Sequence, residues 1–249
     1  MFKSVRRAVV QGVEKTWHTF ASHGEGRGDQ QWDSETNRYK REILIAAKDL
    51  AVGTDTETMC EAIKKIGHLA YCGGPDAARC AGTFLETLVG MLMERETPMP
   101  VRTQVVQSLS EIYRGHRDHT KQFRTLGVIS IIADIIRMYN DSALLRWCCY
   151  TLFTVCAGSL RNVALVEAEE LKENFSVLAQ LSWKGWPRNY AQGLLLIIGY
   201  AQEEDFEGAG ADDGDAEDTS SYPMALQAIF RKGRRTGETS FFKRNSVLS

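Results

Sequence analysis

The strongest constraint on the fold is a pattern of apolar residues that repeats every 43 positions. Leu152 falls at this spacing from Leu109 and Leu195, and one further step back reaches Ile66. Five more columns keep the same period, and every residue in them is apolar. These columns hold Cys148 with Val105, Ala191 and Ala62; Val155 with Ile112, Ile198 and Leu69; Leu85 with Val128 and Leu171; Val89 with Ile132 and Phe175; and Leu92 with Ile135 and Leu178. Six columns at one period indicate a chain built from repeated structural units.

Each unit has the pattern of helices. Residues 101–115 and 142–158 carry apolar side chains at i, i+3, i+4 and i+7, which predicts amphipathic helices, and the apolar segments 84–95 and 128–139 predict a preceding helix in each unit. Residues that start or stop helices separate these segments. They are Gly73, Gly74, Pro75, Pro98, Pro100, Gly127, Asn140, Asp141, Gly158 and Pro187. No alternating pattern typical of strands is found, so the sequence predicts an all-α protein.

The segment 126–158, "LGVISIIADIIRMYNDSALLRWCCYTLFTVCAG", resembles an armadillo repeat. A glycine precedes an apolar helix, a short polar turn follows, and a longer helix ends in a pattern similar to that of the family. The resemblance, together with the period, implies a right-handed armadillo-like α-solenoid of about four 43-residue helical repeats. The repeat register covers roughly residues 39–202.

Three cysteines lie together in residues 146–156, "RWCCYTLFTVC", and raise the question of a metal or redox site. Cys148 occupies a column that holds valine and alanine elsewhere, so we interpret Cys148, Cys149 and Cys156 as small buried hydrophobic residues. On this helix, residues 145, 148, 149, 152 and 155 share one face.

Other candidate chemistry is weaker. His68, Cys72 and Cys80, or the pair His116 and His119, could be considered zinc ligands, but their spacings match no established zinc signature. We interpret His68 as a surface residue, because it shares the 43-residue register with Glu111 and Thr154, a column that we expect to face solvent. The sequence contains no phosphate-binding glycine motif, no G-x-S-x-G and no H-E-x-x-H. We therefore predict a non-catalytic protein without metal or cofactor.

The flanking segments differ in composition from the repeats. We divide the chain into a basic amphipathic N-terminal helix, a linker, the armadillo-like repeat domain, an acidic disordered linker, and a basic C-terminal tail with a short helix predicted at 223–230. Their boundaries are 1–23, 24–38, 39–202, 203–221 and 222–249. We expect the short helix of the tail to cover the apolar stretch 194–198, and the alternative is a tail without fixed contacts.

The N-terminal segment 1–23 supports three interpretations. It carries four basic residues against one acid, and an apolar residue recurs every three or four positions. The apolar residues are Phe2, Val5, Val9, Val13, Trp17 and Phe20. The segment could be a helix that docks on the domain, a helix on a membrane surface, or a mitochondrial transit peptide.

In an armadillo-like solenoid the longest helix of each repeat lines the concave surface, and the resemblance implies that partners bind there. Opposite the core face, the 43-residue period predicts a ladder of residues along these helices. The candidate partner-binding residues are Lys64, Gln107, Glu111, Trp147, Tyr150, Thr154 and Tyr190. We expect the aromatic members to be exposed anchors, and the alternative is that the N-terminal helix or a loop covers them. The tryptophan–asparagine ladder by which armadillo proteins bind nuclear import signals is absent.

The functional prediction is a protein-interaction adaptor that binds a partner protein on its concave face. The alternative is a peripheral membrane adaptor held by residues 1–23. The net charge of −2 gives no reason to expect nucleic acid, and no apolar run is long enough for a transmembrane helix. Cysteines without a disulfide-like pattern favour the cytoplasm or nucleus, with mitochondrial targeting left open.

Overall fold

The computed structural model describes residue 10, residues 35–53, residues 55–116 and residues 118–200. Over these ranges the chain forms helices without any strand, which confirms the predicted all-α class. The helices are α1 (Glu35–Val52), α2 (Thr56–Cys72), α3 (Gly74–Gly82), α4 (Leu85–Met93), α5 (Met99–Gly115), α6 (His119–Thr125), α7 (Val128–Met138), α8 (Ser142–Cys156), α9 (Leu160–Glu167), α10 (Lys172–Ala179) and α11 (Tyr190–Ile197). The predictions for residues 203–249, and for residues 1–23 apart from Val10, lie outside the described residues.

The helix bounds follow the period of the sequence. The long helices α2, α5 and α8 begin at Thr56, Met99 and Ser142, which are 43 residues apart. The same interval separates the first residues of α4 and α7, Leu85 and Val128. With α3, α6 and α9 as short first helices, the chain contains three-helix units, as an armadillo-like fold requires. Helix α1 begins at Glu35, before the boundary predicted at residue 39.

The six apolar columns form the core. Every one of their positions is buried except Leu69, which is half-buried. The predicted helix boundaries also hold: Gly127 precedes α7 with a left-handed φ of 65°, and Pro98 precedes α5. Asp141 starts α8 by accepting a hydrogen bond from the backbone N–H of Leu144 at 2.8 Å. The buried positions and the residues at these helix ends therefore agree with the pattern predicted from the sequence.

The cysteines of α8 are part of this core. Cys148, Cys149 and Cys156 are buried, which confirms their interpretation as hydrophobic residues. Burial raises the pKa of the Cys156 thiol to about 12 and also raises the pKa of Cys148. These cysteines are therefore thiols rather than nucleophilic thiolates at neutral pH.

The histidines considered as zinc ligands have different environments. His68 is exposed, as predicted. The ring of His119 is buried, its Nε2 lies 3.0 Å from the carbonyl oxygen of Ala78, and burial lowers its pKa. Within the described ranges, no three histidine, cysteine or acidic side chains are grouped so as to hold a metal ion.

The long helices are joined by a hydrogen bond that repeats with the sequence. Ser108 Oγ on α5 donates to the backbone carbonyl of Ile63 on α2 at 2.9 Å. One repeat later, Thr151 Oγ1 on α8 lies 3.2 Å from the carbonyl oxygen of Val106 on α5. It also lies 2.8 Å from the carbonyl oxygen of Trp147 one turn earlier in α8, so its one hydrogen is shared between these two acceptors. Both hydroxyl groups belong to fully buried residues, so these bonds fix the helix register inside the core.

The start of α5 is fixed to the end of α4. The buried Arg102 guanidinium donates to the backbone carbonyls of Leu92 at 2.5 Å and Thr97 at 3.0 Å, and also to that of Glu94. Carbonyls at a helix C-terminus lack intrahelical partners and carry partial negative charge, which a guanidinium satisfies. Arg102 therefore orients the helix at the centre of the candidate site.

The chain divides into two compact units, residues 1–151 and 152–249. In the first, α2 packs mainly against α5 and α1. In the second, α10 packs on α11, and Asn189 joins them: its side chain caps α11 and its Nδ2 donates to the carbonyl of Ala179 at 2.7 Å. Asn162 is buried and donates to the carbonyl of Val155 at 2.6 Å.

The packing of α2 on α5 predicts the effect of a methyl group at Gly67. A Cβ at this position would lie 2.7 Å from Ser108 Cβ, so we expect Gly67→Ala to lower the free energy of unfolding by about 1–3 kcal/mol. Gly90→Ala is the control, because a Cβ there meets nothing within 4 Å and a helix interior favours alanine by about 0.5–1 kcal/mol. Urea denaturation of both variants measures the difference, and equal effects would contradict the close approach.

The burial of the cysteines predicts their reactivity. We expect iodoacetamide to modify Cys72, which is exposed, in the native protein, and to modify Cys148, Cys149 and Cys156 only on unfolding. Peptide mapping by mass spectrometry after timed labelling makes the measurement, and Cys72→Ser should remove the fast modification. Rapid labelling of Cys148 under native conditions would show that α8 is not packed as described.

Candidate partner-binding surface

Three long helices of the first compact unit present the predicted ladder. We call this surface the α2–α5–α8 face. It consists of Lys64, Tyr71, Gln107, Glu111, Arg114, Trp147 and Tyr150. The hydroxyl contacts of Ser108 and Thr151 hold the three helices in register. This register fixes the position of each side chain along the helix axes.

The centre of the face is a buried carboxyl group. Glu111 is only 7% exposed, and its side chain lies against α2 at Gly67, where any larger residue would meet it. Gln107 Nε2, one turn earlier on α5, donates to Glu111 Oε1 at 3.1 Å. The second oxygen, Oε2, is buried and accepts no hydrogen bond. The ladder position at Glu111 was expected to face solvent, and this expectation is wrong because α5 approaches α2 so closely at the glycine.

Burial controls the ionisation of Glu111. Removal from water raises the pKa of its carboxyl to about 7, and the hydrogen bond from Gln107 and the positive charges of Arg114 and Lys64 offset only part of this effect. Near neutral pH the carboxyl is therefore divided between its protonated and ionised forms. The pKa of the Cys72 thiol is raised by its partial burial and, to a lesser extent, by the Glu111 charge.

Arg114 links the three helices across the face. Its Nη1 donates to the hydroxyl of Tyr150 on α8 at 2.6 Å, and its Nη2 donates to the hydroxyl of Tyr71 on α2 at 3.3 Å. The guanidinium also lies over the Tyr71 ring, 4.8 Å from the centroid. A planar group with several donors can make these contacts at once, which a lysine ammonium cannot.

The aromatic residues are less exposed than expected. Tyr150 is buried, because its hydroxyl bonds Arg114 and its ring meets the half-buried Trp147 edge to face at 5.5 Å. The prediction that Tyr150 is an exposed anchor is therefore wrong. Of the remaining residues of the face, Lys64, Gln107 and Trp147 are half-buried and stay partly accessible.

The prediction that Tyr190 is exposed is also wrong. Tyr190 lies in the second compact unit and is buried against Phe153, with ring centroids 5.3 Å apart. Trp183 and Trp186, from the loop before α11, each lie 6.1 Å from its ring. The alternative, that a loop covers this aromatic residue, is correct for Tyr190. Thr154 is half-buried and also belongs to the second unit, so neither residue is assigned to the α2–α5–α8 face.

Tyr71 and Arg114 were missed in the sequence. They are related by the same 43-residue step, and they continue the ladder by one helical turn beyond His68 and Glu111. Extending the column by i+3 would have found both residues. Their mutual contact could not have been found in this way, because an arginine side chain can point in many directions.

The three-helix units and the apolar columns define an armadillo-like helical protein, a class whose fold is suited to protein interaction. A family model, described as "Armadillo-like helical domain-containing protein 2", matches residues 27–202, and the chain belongs to this family. A search of curated proteins gave no match. Among the described helices, none is both long enough and apolar enough to cross a membrane.

The raised pKa of Glu111 predicts a pH-dependent stability. The folded protein binds more protons than the unfolded chain between pH 4.5 and about 7, so this residue lowers the free energy of unfolding as the pH rises through that range. We expect Glu111→Gln to be more stable than the natural protein at pH 8, on the order of 2–3 kcal/mol, with a smaller difference at pH 5.

Urea denaturation at pH 5 and pH 8 measures the effect of Glu111→Gln. Glu61→Gln removes an exposed carboxyl from the ladder of α2 and controls for the change in net charge. A stability difference between Glu111→Gln and the natural protein that is the same at both pH values would contradict the assignment.

Proposed function

We propose that this protein is a non-catalytic adaptor that binds a partner protein on the α2–α5–α8 face. The observation that carries this proposal is the buried Glu111 carboxyl, whose Oε2 accepts no hydrogen bond in the described structure. A buried carboxyl oxygen without a donor is unfavourable, and a partner that supplies one gains the interaction on binding. Membership of an armadillo-like family supports the same function.

The side chains of the face suggest separate roles in this proposal. Trp147 and Tyr71 offer aromatic surface, of the kind that contributes most affinity at interfaces. Lys64 and Gln107 flank Glu111 and would select the polar groups of the partner. Tyr150 and Arg114 act through their mutual hydrogen bond, which holds α5 and α8 in position beneath the partner.

The proposal of a non-catalytic role rests on the chemistry of the described residues. The α8 thiols are buried with raised pKa values, and His119 is engaged with a backbone carbonyl. Glu111 is the one carboxyl of the face whose pKa burial brings near neutrality. A single carboxyl beside an amide and two cations suits recognition better than acid–base chemistry, which needs a second positioned group.

We expect Lys64→Ala and Trp147→Ala each to weaken partner binding at least about tenfold, because each removes a partly accessible side chain of the face. Affinity capture from cell extract with the full-length chain identifies partners, and titration of the captured protein gives the dissociation constant. Lys48→Ala, which changes an exposed lysine of α1, is the matched control for Lys64→Ala.

Circular dichroism must first show that the variants keep the helical content of the natural chain. The proposal is contradicted if the same partners bind both face variants and the control with equal affinity.

A membrane adaptor is the second candidate function, favoured by the four basic residues and the apolar stripe of residues 1–23. Co-sedimentation with anionic vesicles separates the two candidates. Binding that disappears in an Arg6→Glu/Arg7→Glu variant would support the membrane function, and no binding by the natural chain would dismiss it.

A further inference from the structure

We propose that residues 1–23 of this same chain occupy the α2–α5–α8 face as an amphipathic helix, so that an external partner must displace them. The inference concerns the surface of the proposed function. Its test requires no external partner, so the two proposals can fail separately.

Two polar atoms of α5 lack hydrogen-bond partners in the described residues. Glu111 Oε2 is buried without a donor, and Gln104 Nε2, two turns earlier on the same side of α5, is buried without an acceptor. The two residues lie roughly 10 Å apart along the helix axis. A ligand that runs along the face satisfies these groups when the two side chains turn toward it.

The face also offers aromatic surface. Tyr71 on α2 is 38% exposed, and Trp147 on α8 is half-buried. Between them, α5 contributes the half-buried side chains of Gln107 and Arg114. Aromatic surface around a few polar groups is the surface that binds the apolar stripe of an amphipathic helix.

The sequence of the N-terminal segment fits such a surface. On a helix, its apolar residues from Phe2 to Phe20 would lie on one side and form a stripe roughly 27 Å long. Three packed helices with axes about 8–10 Å apart present a surface of similar width. Val10, which the structure describes, is helical and half-buried.

The basic residues of the segment include one that could reach Glu111. The segment carries Lys3, Arg6, Arg7 and Lys15 against one acid, and on a helix Arg6 would border the apolar stripe, where it could donate to the Glu111 carboxyl. The positive charges of Lys64 and Arg114 repel a basic ligand. The apolar stripe of the segment therefore supplies most of its attraction to the face.

The linker between the segment and α1 is long enough for the segment to reach the face. Residues 24–34 separate the segment from α1, and eleven residues reach up to about 36–40 Å when extended. Helix α1 packs directly on α2, the first helix of the face. A tether that spans the distance gives the segment an effective concentration on the order of millimolar, so even weak intramolecular docking would be well populated.

The test uses a fluorescent peptide of residues 1–23 and two full-length proteins. Val9→Asp/Val13→Asp places two charges on the stripe and should release the segment from the face. Ser4→Asp/Gln11→Asp adds the same charge on the opposite side of the helix and is the matched control. We expect the peptide to bind the stripe variant at least tenfold more tightly than the natural chain or the control. Adding Trp147→Ala to the stripe variant should weaken this binding.

Hydrogen exchange gives a second measurement on the same full-length proteins. We expect amides of α5 and α8 to exchange faster in the stripe variant than in the natural chain, with no change in the control variant. Exchange that is equal in all three proteins, with no peptide binding to the stripe variant, would overturn the proposal.

Two further outcomes would show that residues 1–23 bind something other than the face, and each would also overturn the proposal. Binding of the natural chain to anionic vesicles that the stripe variant loses, without peptide binding, would assign the segment to a membrane. Concentration-dependent dimers that disappear in the stripe variant would assign it to a second copy of the chain.

Discussion

The close approach of α2 and α5 at Gly67 is the contact on which the rest of the first unit depends. A glycine at this position lets Ser108 reach the carbonyl of Ile63 and lets the Glu111 side chain lie against the α2 backbone. Thr151 makes the equivalent contact between α8 and α5, and it shares its hydrogen with the carbonyl of Trp147 in α8. The Ser108 bond joins buried groups of neighbouring repeats, so a shift of α5 along α2 would break it and cost the free energy of a buried hydrogen bond. This register fixes the positions of the side chains on the α2–α5–α8 face.

The close packing of α2 and α5 also places Glu111 in an energetically unfavourable environment. A carboxyl that loses water and receives one hydrogen bond is held in the folded protein only because the surrounding packing is favourable. Proteins accept such unfavourable groups where function requires them and compensate elsewhere. Here the compensation is the aliphatic core beneath α5, where Val105, Leu109 and Ile112 are fully buried. The aliphatic core and the Glu111 carboxyl therefore lie on opposite sides of one helix.

The residues that recur every 43 positions account for the packing of the helices. The residues that differ between repeats account for the chemistry of the surface. Core columns hold similar residues in each row, since every unit packs on its neighbours in the same way. The outer column changes from Lys64 to Gln107, Tyr150 and Gly193 along the chain. In the second unit, Gly193 lies against the Phe153 ring, so there the position serves packing and carries no recognition side chain. A repeat alone does not show which copies of a position are functional.

The sequence by itself determined the helical class, the period, the core columns and the helix boundaries, because these depend on spacing and on local backbone preferences. It also located the long helices that carry the ladder. Only the tertiary structure decided that Glu111 and Tyr150 are buried and that Arg114 joins Tyr71 to Tyr150. The physical reason is that exposure of a side chain depends on how closely the neighbouring helix approaches and on which loop passes over it. Gly67 sets such a distance for Ser108 and Glu111, which are more than 40 residues away in the chain. The loop residues Trp183 and Trp186 determine the exposure of Tyr190, because the loop folds back on that ring.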